Sequence, residues 1–257
     1  MNDATNPYQS PAESTFSPVD FSPKPSQGVF RPVSTLCLSL TVLLGIQVVL
    51  DLGLLGMSGM EWSYYNQGVA FDEFSMTEEE LTFLIAYAGL GVLQLLTLIV
   101  TAIFFCIWNY RVYKNVLALG VSRLQHSPGW AAGAWFVPIL NWFRPYQIMQ
   151  ETWKGSEPSN LRKEGEMYHR PVGSSLVGWW WAAWIIGGLV NQVAFRAEMH
   201  AEGDLEVLQI SAIASMVGAV ITIACGIMAI SIVRSITANQ EERHQLVRGA
   251  TPAQVLY

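Results

Sequence analysis

Ionisable side chains are scarce in this chain, with only 13% of its 257 residues charged and four histidines in all. His126, His169, His200 and His244 are scattered without metal-ligand spacing, so no metal site and no histidine-activated nucleophile is expected from them. Cysteine is equally sparse: Cys37, Cys106 and Cys225 each fall inside an apolar run, which excludes a disulfide scaffold and leaves them as small packing residues. The basic residues are too dispersed, and too close to apolar runs, for a nucleic-acid surface. With no complete catalytic or cofactor signature, the chain is expected to be non-enzymatic and to hold neither cofactor nor metal.

What the chain has in quantity is apolar residues, 51% of the total, with a mean hydropathy of +0.31. A bilayer core takes roughly twenty apolar residues in a helix. Four runs supply them: 33–55, 83–108, 174–193 and 207–233. The expected fold class is therefore all-α, a four-helix integral membrane bundle. Arg196 alone among the fourteen Lys and Arg residues lies on the far side of these runs. Lys24 and Arg31 precede the first run, eight basic residues from Arg111 to Arg170 separate the second from the third, and Arg234, Arg243 and Arg248 follow the fourth. Because short basic loops stay on the cytoplasmic face, this partition predicts an inner-membrane protein with both termini cytoplasmic.

The other two connections are acidic. One carries Glu61, Asp72, Glu73 and Glu78 to Glu80, the other Glu198, Glu202, Asp204 and Glu206. Thr77 followed by Glu80 has the spacing of a capping box and explains the Glu run structurally. Divalent-cation binding by Glu198, His200, Glu202, Asp204 and Glu206 is the sharper reading of the second connection, but nothing in the sequence fixes the geometry of that alternation.

Residues 1–32 hold six of the twelve prolines among Ser, Gln and Asn, and a disordered, Pro-rich cytoplasmic leader is expected there. A membrane domain over 33–240 and a cytoplasmic tail over 241–257 complete the expected organisation.

Between the second and third runs, the fifteen residues from Gly129 to Phe143 are almost free of polar atoms. As a helix they would extend only about 22 Å, too little to cross. Crossing would also strand Arg144, Lys154, Arg162, Lys163 and Arg170 outside. Pro138 interrupts any helix in this stretch. Residues 128–154 are thus expected to form a broken re-entrant or in-plane element on the cytoplasmic face, with Pro145 in the first turn of a new helix. Arg144 and Glu151 are seven residues apart and fit two roles. In the first, Arg144 binds a lipid phosphate or a partner's carboxylate, with Asn141 and Tyr146 orienting it and Trp130, Trp142 and Trp153 setting its depth. In the second, Arg144 and Glu151 simply lock the loop and the aromatics are belt residues.

Several motifs of this region are similar to a known family. Tyr110-Arg111, Asn115 to Gly120, Ser127-Pro128-Gly129-Trp130, Trp135-Phe136-Val137-Pro138, Arg144-Pro145-Tyr146, Glu151-Thr152-Trp153 and Val233 to Gln240 together resemble bacterial membrane proteins grouped as the domain of unknown function 4328 (DUF 4328). The resemblance implies a multi-pass bacterial membrane protein and supplies no activity.

Polar residues inside the runs are few. Gln47, Asp51, Gln94 and Asn191 form a candidate intramembrane cluster, and an acid at membrane depth is a default functional residue. A small transporter or channel using these four is the alternative to a scaffold, sensor or regulator that binds a partner protein or lipid headgroup. On the fourth run Ala214, Gly218, Thr222 and Gly226 make a small-residue stripe, suited to packing within the bundle or to a homodimer. Two enzyme-like fragments lack their partners. Lys24 with Arg31-Pro32 is similar to the opening of a membrane lipid phosphatase motif whose Pro-Ser-Gly-His segment and later Ser-Arg with a histidine are missing, and Gly56-Met57-Ser58-Gly59 is similar to the serine motif of rhomboid intramembrane proteases, but no run contains a histidine to act as its base.

Overall fold

The structure, a computed structural model, describes residues 28–69, 71, 76–121, 124–162 and 172–249, with 161 and 162 by backbone alone. The predicted leader up to residue 27, together with Asp72, Glu73, Arg123, Lys163, His169, Arg170 and the tail from residue 250, lies outside the described residues. Every regular element among the described residues is helical. Four long helices carry the four apolar runs: α1 (Ser34–Asn66), α2 (Glu78–Ala118), α6 (Ser175–Met199) and α7 (Leu205–Gly249). Between α2 and α6 come the short α3 (Pro128–Gly133), α4 (Arg144–Ser156) and α5 (Pro158–Arg162).

Three helices, α1, α2 and α7, are long and apolar enough to cross a membrane. α6 has the length, 25 residues. All four outrun their apolar runs. α1 continues eleven residues past the predicted end at Leu55, which moves Glu61 out of the expected acidic loop and into a helix. α7 runs unbroken to Gly249, the stop that a glycine there and Pro252 just beyond it predict for a helix continuing past its apolar run.

The helix starts follow the local chemistry. At α2, Thr77 Oγ1 accepts from the Glu80 amide at 3.3 Å while the Glu80 carboxylate accepts from the Thr77 amide at 2.8 Å, the reciprocal pair that the spacing predicts. Ser174 caps α6 by accepting from Val177 N at 3.3 Å. Asp204 Oδ1 accepts from Glu206 N at 2.9 Å and from Val207 N at 3.4 Å, so one acid of the second acidic connection caps α7. Among the described residues no group of three or more His, Cys, Asp or Glu is placed to hold a metal ion.

α7 is the central helix, with α1 and α6 packed on it and α2 packed on α1. Its small residues serve contacts within the chain. A Cβ at Gly226 would meet Val48 of α1, and one at Gly218 would overlap the Asn191 amide of α6. Side-chain burial is concentrated at the basic end of the bundle, where Trp108, Val112, Val116, Ile148, Met149, Ile232, Val233 and Ile236 are all inaccessible or nearly so. The apolar middles of the helices are not covered. Only 6% of the most apolar window of α2 and 11% of that of α1 are buried inside the protein. Exposed apolar faces of that length belong in an apolar medium.

The stretch from Pro128 to Trp142 is broken, as Pro138 requires. α3 opens on Pro128, and two 3₁₀ turns, Ala134–Phe136 and Leu140–Trp142, flank the proline before α4 starts with Pro145 in its first turn. α4 then crosses α2 so closely that a Cβ at Gly155 would overlap Val116 Cγ1. Only glycine fits that crossing.

Candidate functional site

The basic end divides into a polar lock and a cation with no carboxylate partner among the described residues. Glu151, on α4, is the hub of the lock. Its Oε2 accepts from Tyr113 OH at 2.7 Å and contacts His126 Nδ1 at 3.0 Å, and its Oε1 accepts from Gln125 N at 2.9 Å. Tyr113 OH lies also 2.9 Å from the His126 carbonyl, so α2, α4 and the segment leading into α3 meet at one carboxylate. Gln150, one residue earlier, closes the other side. Its amide donates to Ser174 O at 2.7 Å and accepts from Ser174 N at 2.9 Å, fixing the entry to α6.

Arg144 is not Glu151's partner. The expected pairing of the two fails because seven residues along α4 carry Glu151 to the His126 side, while Arg144, at the helix start, folds back over α3. There its guanidinium lies 4.7 Å from the centre of the Trp130 ring. Arg144 Nε is buried and has no hydrogen-bond partner among the described residues, and no carboxylate among them lies within ion-pair distance of it. Two neighbours in the broken element are also unsatisfied: Trp135 Nε1, a donor, and Asn141 Oδ1, an acceptor. Of the remaining expected site residues, Trp142 is exposed, and Tyr146 and Trp153 are half-buried and pack on the main apolar core.

The tip around Pro138 presents its apolar side chains outward: Phe136 and Ile139 are each 77% exposed and Trp142 56%. Behind it an aromatic cluster joins the broken element to α2 and α6. Trp135 meets Phe105 at 5.4 Å, Trp184 at 5.6 Å and Trp181 at 5.8 Å, each edge-on. Trp181 stacks on Trp184 at 4.9 Å. The tryptophans of α6 thus do more than face an interface, since Trp180 is 4% and Trp181 9% exposed. Beside this cluster an open cleft of about 440 Å³ runs along α6 from Asn141 and Trp142 past Trp184 to Asn191 and Thr222.

Deeper at the basic end, α2 and α7 are joined by amides that the sequence did not single out. Asn115 Nδ2 donates to the Arg31 carbonyl at 2.8 Å and to Gln240 Oε1 at 3.2 Å, and Asn115 Oδ1 accepts from Arg31 N at 3.1 Å. Gln240 Nε2 donates to Val112 O at 2.8 Å and to Ser156 Oγ at 3.0 Å. Trp108 Nε1 donates to Thr237 Oγ1 at 3.3 Å.

The candidate intramembrane cluster is split. Gln94 Nε2 donates to Asp51 Oδ1, joining α2 to α1, and Gln47 lies one turn away on the same buried face of α1. Asn191 does not join them. It is exposed on α6, and its Nδ2 donates to Thr222 Oγ1 at 3.4 Å.

Comparison with known proteins adds one match. The model of a family described as "Domain of unknown function (DUF4328)" matches residues 79–238, from the first turn of α2 into the last third of α7. No curated protein and no solved structure matches the chain.

Proposed function

The chain belongs to the DUF4328 family, and on that premise we propose that it is a four-span bacterial inner-membrane protein, a non-enzymatic scaffold, sensor or regulator whose basic end binds a lipid phosphate. In this reading α6 is the remaining span, both termini are cytoplasmic, and the broken element dips into the inner leaflet and returns. Charge supports the orientation, since all Lys and Arg residues but Arg196 fall on one side of the four runs. The outward Phe136, Ile139 and Trp142 support insertion of the tip, because an apolar patch of this kind is costly in water.

The observation that carries the proposal is Arg144, a cation stacked on Trp130 with a buried Nε that no described residue satisfies. A guanidinium held in this way at headgroup depth is a ready donor for a phosphate oxygen. The cleft that begins at Asn141 and Trp142 is placed to take an acyl chain of the same lipid.

Arg144→Gln is expected to reduce the phospholipid that co-purifies with the detergent-extracted protein, while the far-ultraviolet circular dichroism stays that of the parent. Unchanged phospholipid would remove the lipid reading, and loss of a co-purifying protein instead would move the site to a partner's carboxylate. Topology has its own test. A cysteine in place of the exposed Ser159 should resist an impermeant thiol reagent added to intact cells and react after permeabilisation. Labelling in intact cells would place the connection outside and overturn the assigned orientation.

A further inference from the structure

α1 carries a buried polar stripe that continues the spacing of its apolar contacts. After Leu40 and Leu44 come Gln47, Asp51, Ser58, Glu61 and Tyr65, at intervals of three, four or seven residues and each at most 8% exposed. Facing it, α2 presents Tyr87 and Gln94. Ser58 Oγ and Tyr87 OH are 2.9 Å apart, and Tyr65 OH donates to Glu61 Oε1 at 3.0 Å.

Two carboxyl groups therefore lie in this seam, Asp51 at 5% and Glu61 at 6% exposure, and neither has a basic partner among the described residues. The titratable groups that face them add no positive charge. Asp51 lies within electrostatic reach of the Cys225 thiol on α7, and Glu61 within that of Tyr65, of Tyr87 on α2 and of Glu198 on α6.

The donor and acceptor count at Asp51 is unbalanced. Gln94 Nε2 donates to the carboxylate, but Gln94 Oε1 has no donor of its own. Gln47, 8% exposed and one helical turn from Asp51 on the same face, has an unpartnered Oε1 as well. Carboxylate and amide oxygens thus share one face, and among the described residues one hydrogen bond, from the Gln94 amide, reaches them. A buried carboxylate left uncompensated is strongly unfavourable, so the site lacks one positive charge. A monocation supplies that charge; a divalent ion would leave the single carboxylate overcompensated. Oxygen ligands suit a hard ion. Beyond Gln47 the seam is closed by Leu44, Leu40 and Trp108, whereas toward the acidic end it continues past Ser58 and Tyr87 to Glu61.

We propose that Asp51, Gln47 and Gln94 form a binding site for a hard monocation, Na⁺ or a proton, reached from the acidic end of the bundle past Glu61. The site is independent of the lipid phosphate proposed at the basic end.

The test uses the full chain in lipid nanodiscs, with its unfolding midpoint followed as Na⁺ replaces choline at constant ionic strength, at alkaline and at mildly acidic pH. For an Na⁺ site, Na⁺ raises the midpoint saturably at alkaline pH and acidification removes the response, because a proton on Asp51 replaces the ion. Asp51→Asn, close to isosteric and still able to accept from Gln94, should abolish the response and raise the midpoint in choline. Gln47→Leu should weaken the apparent Na⁺ affinity about tenfold, the loss of one ligand oxygen. If Na⁺ has no effect but acidification in choline stabilises the parent and not Asp51→Asn, the ligand is the proton. Equal responses of parent and Asp51→Asn to both ions overturn the proposal. Should that variant fail to fold, a parent with no saturable Na⁺ response and no stabilisation on acidification overturns it alone.

Discussion

Replacing Glu151 with Ala is expected to loosen the whole connection between α2 and α4 and to lower stability by about 2–3 kcal/mol. The carboxylate accepts from Tyr113 OH, from the Gln125 backbone and from His126, three groups on two different segments, and its own side chain is only 16% exposed. Tyr113 is inaccessible to solvent, so its hydroxyl cannot turn to water and falls back on the His126 carbonyl alone. Gln125 N and the His126 ring lose their anchor outright. Two measurements check this. The unfolding midpoint in detergent should fall, and limited proteolysis should become faster near Gln125 and His126. Arg144→Ala is the contrasting case, since Arg144 makes no ion pair among the described residues and its removal should leave the cutting rate near Gln125 unchanged. If both variants speed cutting equally, Glu151 is not the lock.

That division of labour between Glu151 and Arg144 marks where the sequence stops being informative. The spacing of seven residues is a local quantity, and it allows the two side chains on one side of a helix. Their actual partners are His126 and Tyr113 in one case and the Trp130 ring in the other, which are tertiary neighbours that no spacing along α4 encodes. By contrast the capping box at Thr77 and Glu80, the break at Pro138 and the helix start at Pro145 are set by bonds within a few residues, and each was legible. The extensions of α2 and α7 beyond their apolar runs were legible too, whereas that of α1 was legible only in principle. On α1 the sequence of Leu40, Leu44, Gln47, Asp51, Ser58, Glu61 and Tyr65 keeps one helical period across the predicted boundary at Leu55. A reading that follows only apolar residues ends the helix where the stripe turns polar. It therefore places Glu61 in a loop, while the backbone continues helical with that carboxyl turned into the bundle.

The amide junction at Asn115 was missed for a related reason: an Asn and a Gln on two helices far apart in sequence give no signal until those helices meet. Its expected effect is the larger of the two. Asn115, 2% exposed, satisfies both backbone groups of Arg31 and also donates to Gln240 Oε1. Asn115→Ala leaves the Gln240 oxygen buried without that donor and frees the segment that leads into α1. Gln240 Nε2 keeps Val112 O and Ser156 Oγ, so the end of α7 stays attached. The loss should be about 3–4 kcal/mol, near the upper end for one polar substitution, because several groups lose partners in an apolar setting. The segment itself retains Val33 in the core and the stacking of Phe30 on His244, with ring centres 4.1 Å apart, so it should detach by fraying from its start and not as a whole. Hydrogen exchange can resolve this: the Arg31 amide should lose protection in Asn115→Ala while Cys37 N, bonded to Val33 O at 2.8 Å, keeps it. A double-mutant cycle with Gln240→Leu should give a coupling of about 1 kcal/mol, since the two side chains share one bond directly and the burial of several others. Full protection at Arg31 in the single variant would mean that Phe30 and Val33 hold the segment by themselves, and the amide junction would then be a consequence of the packing and not its cause.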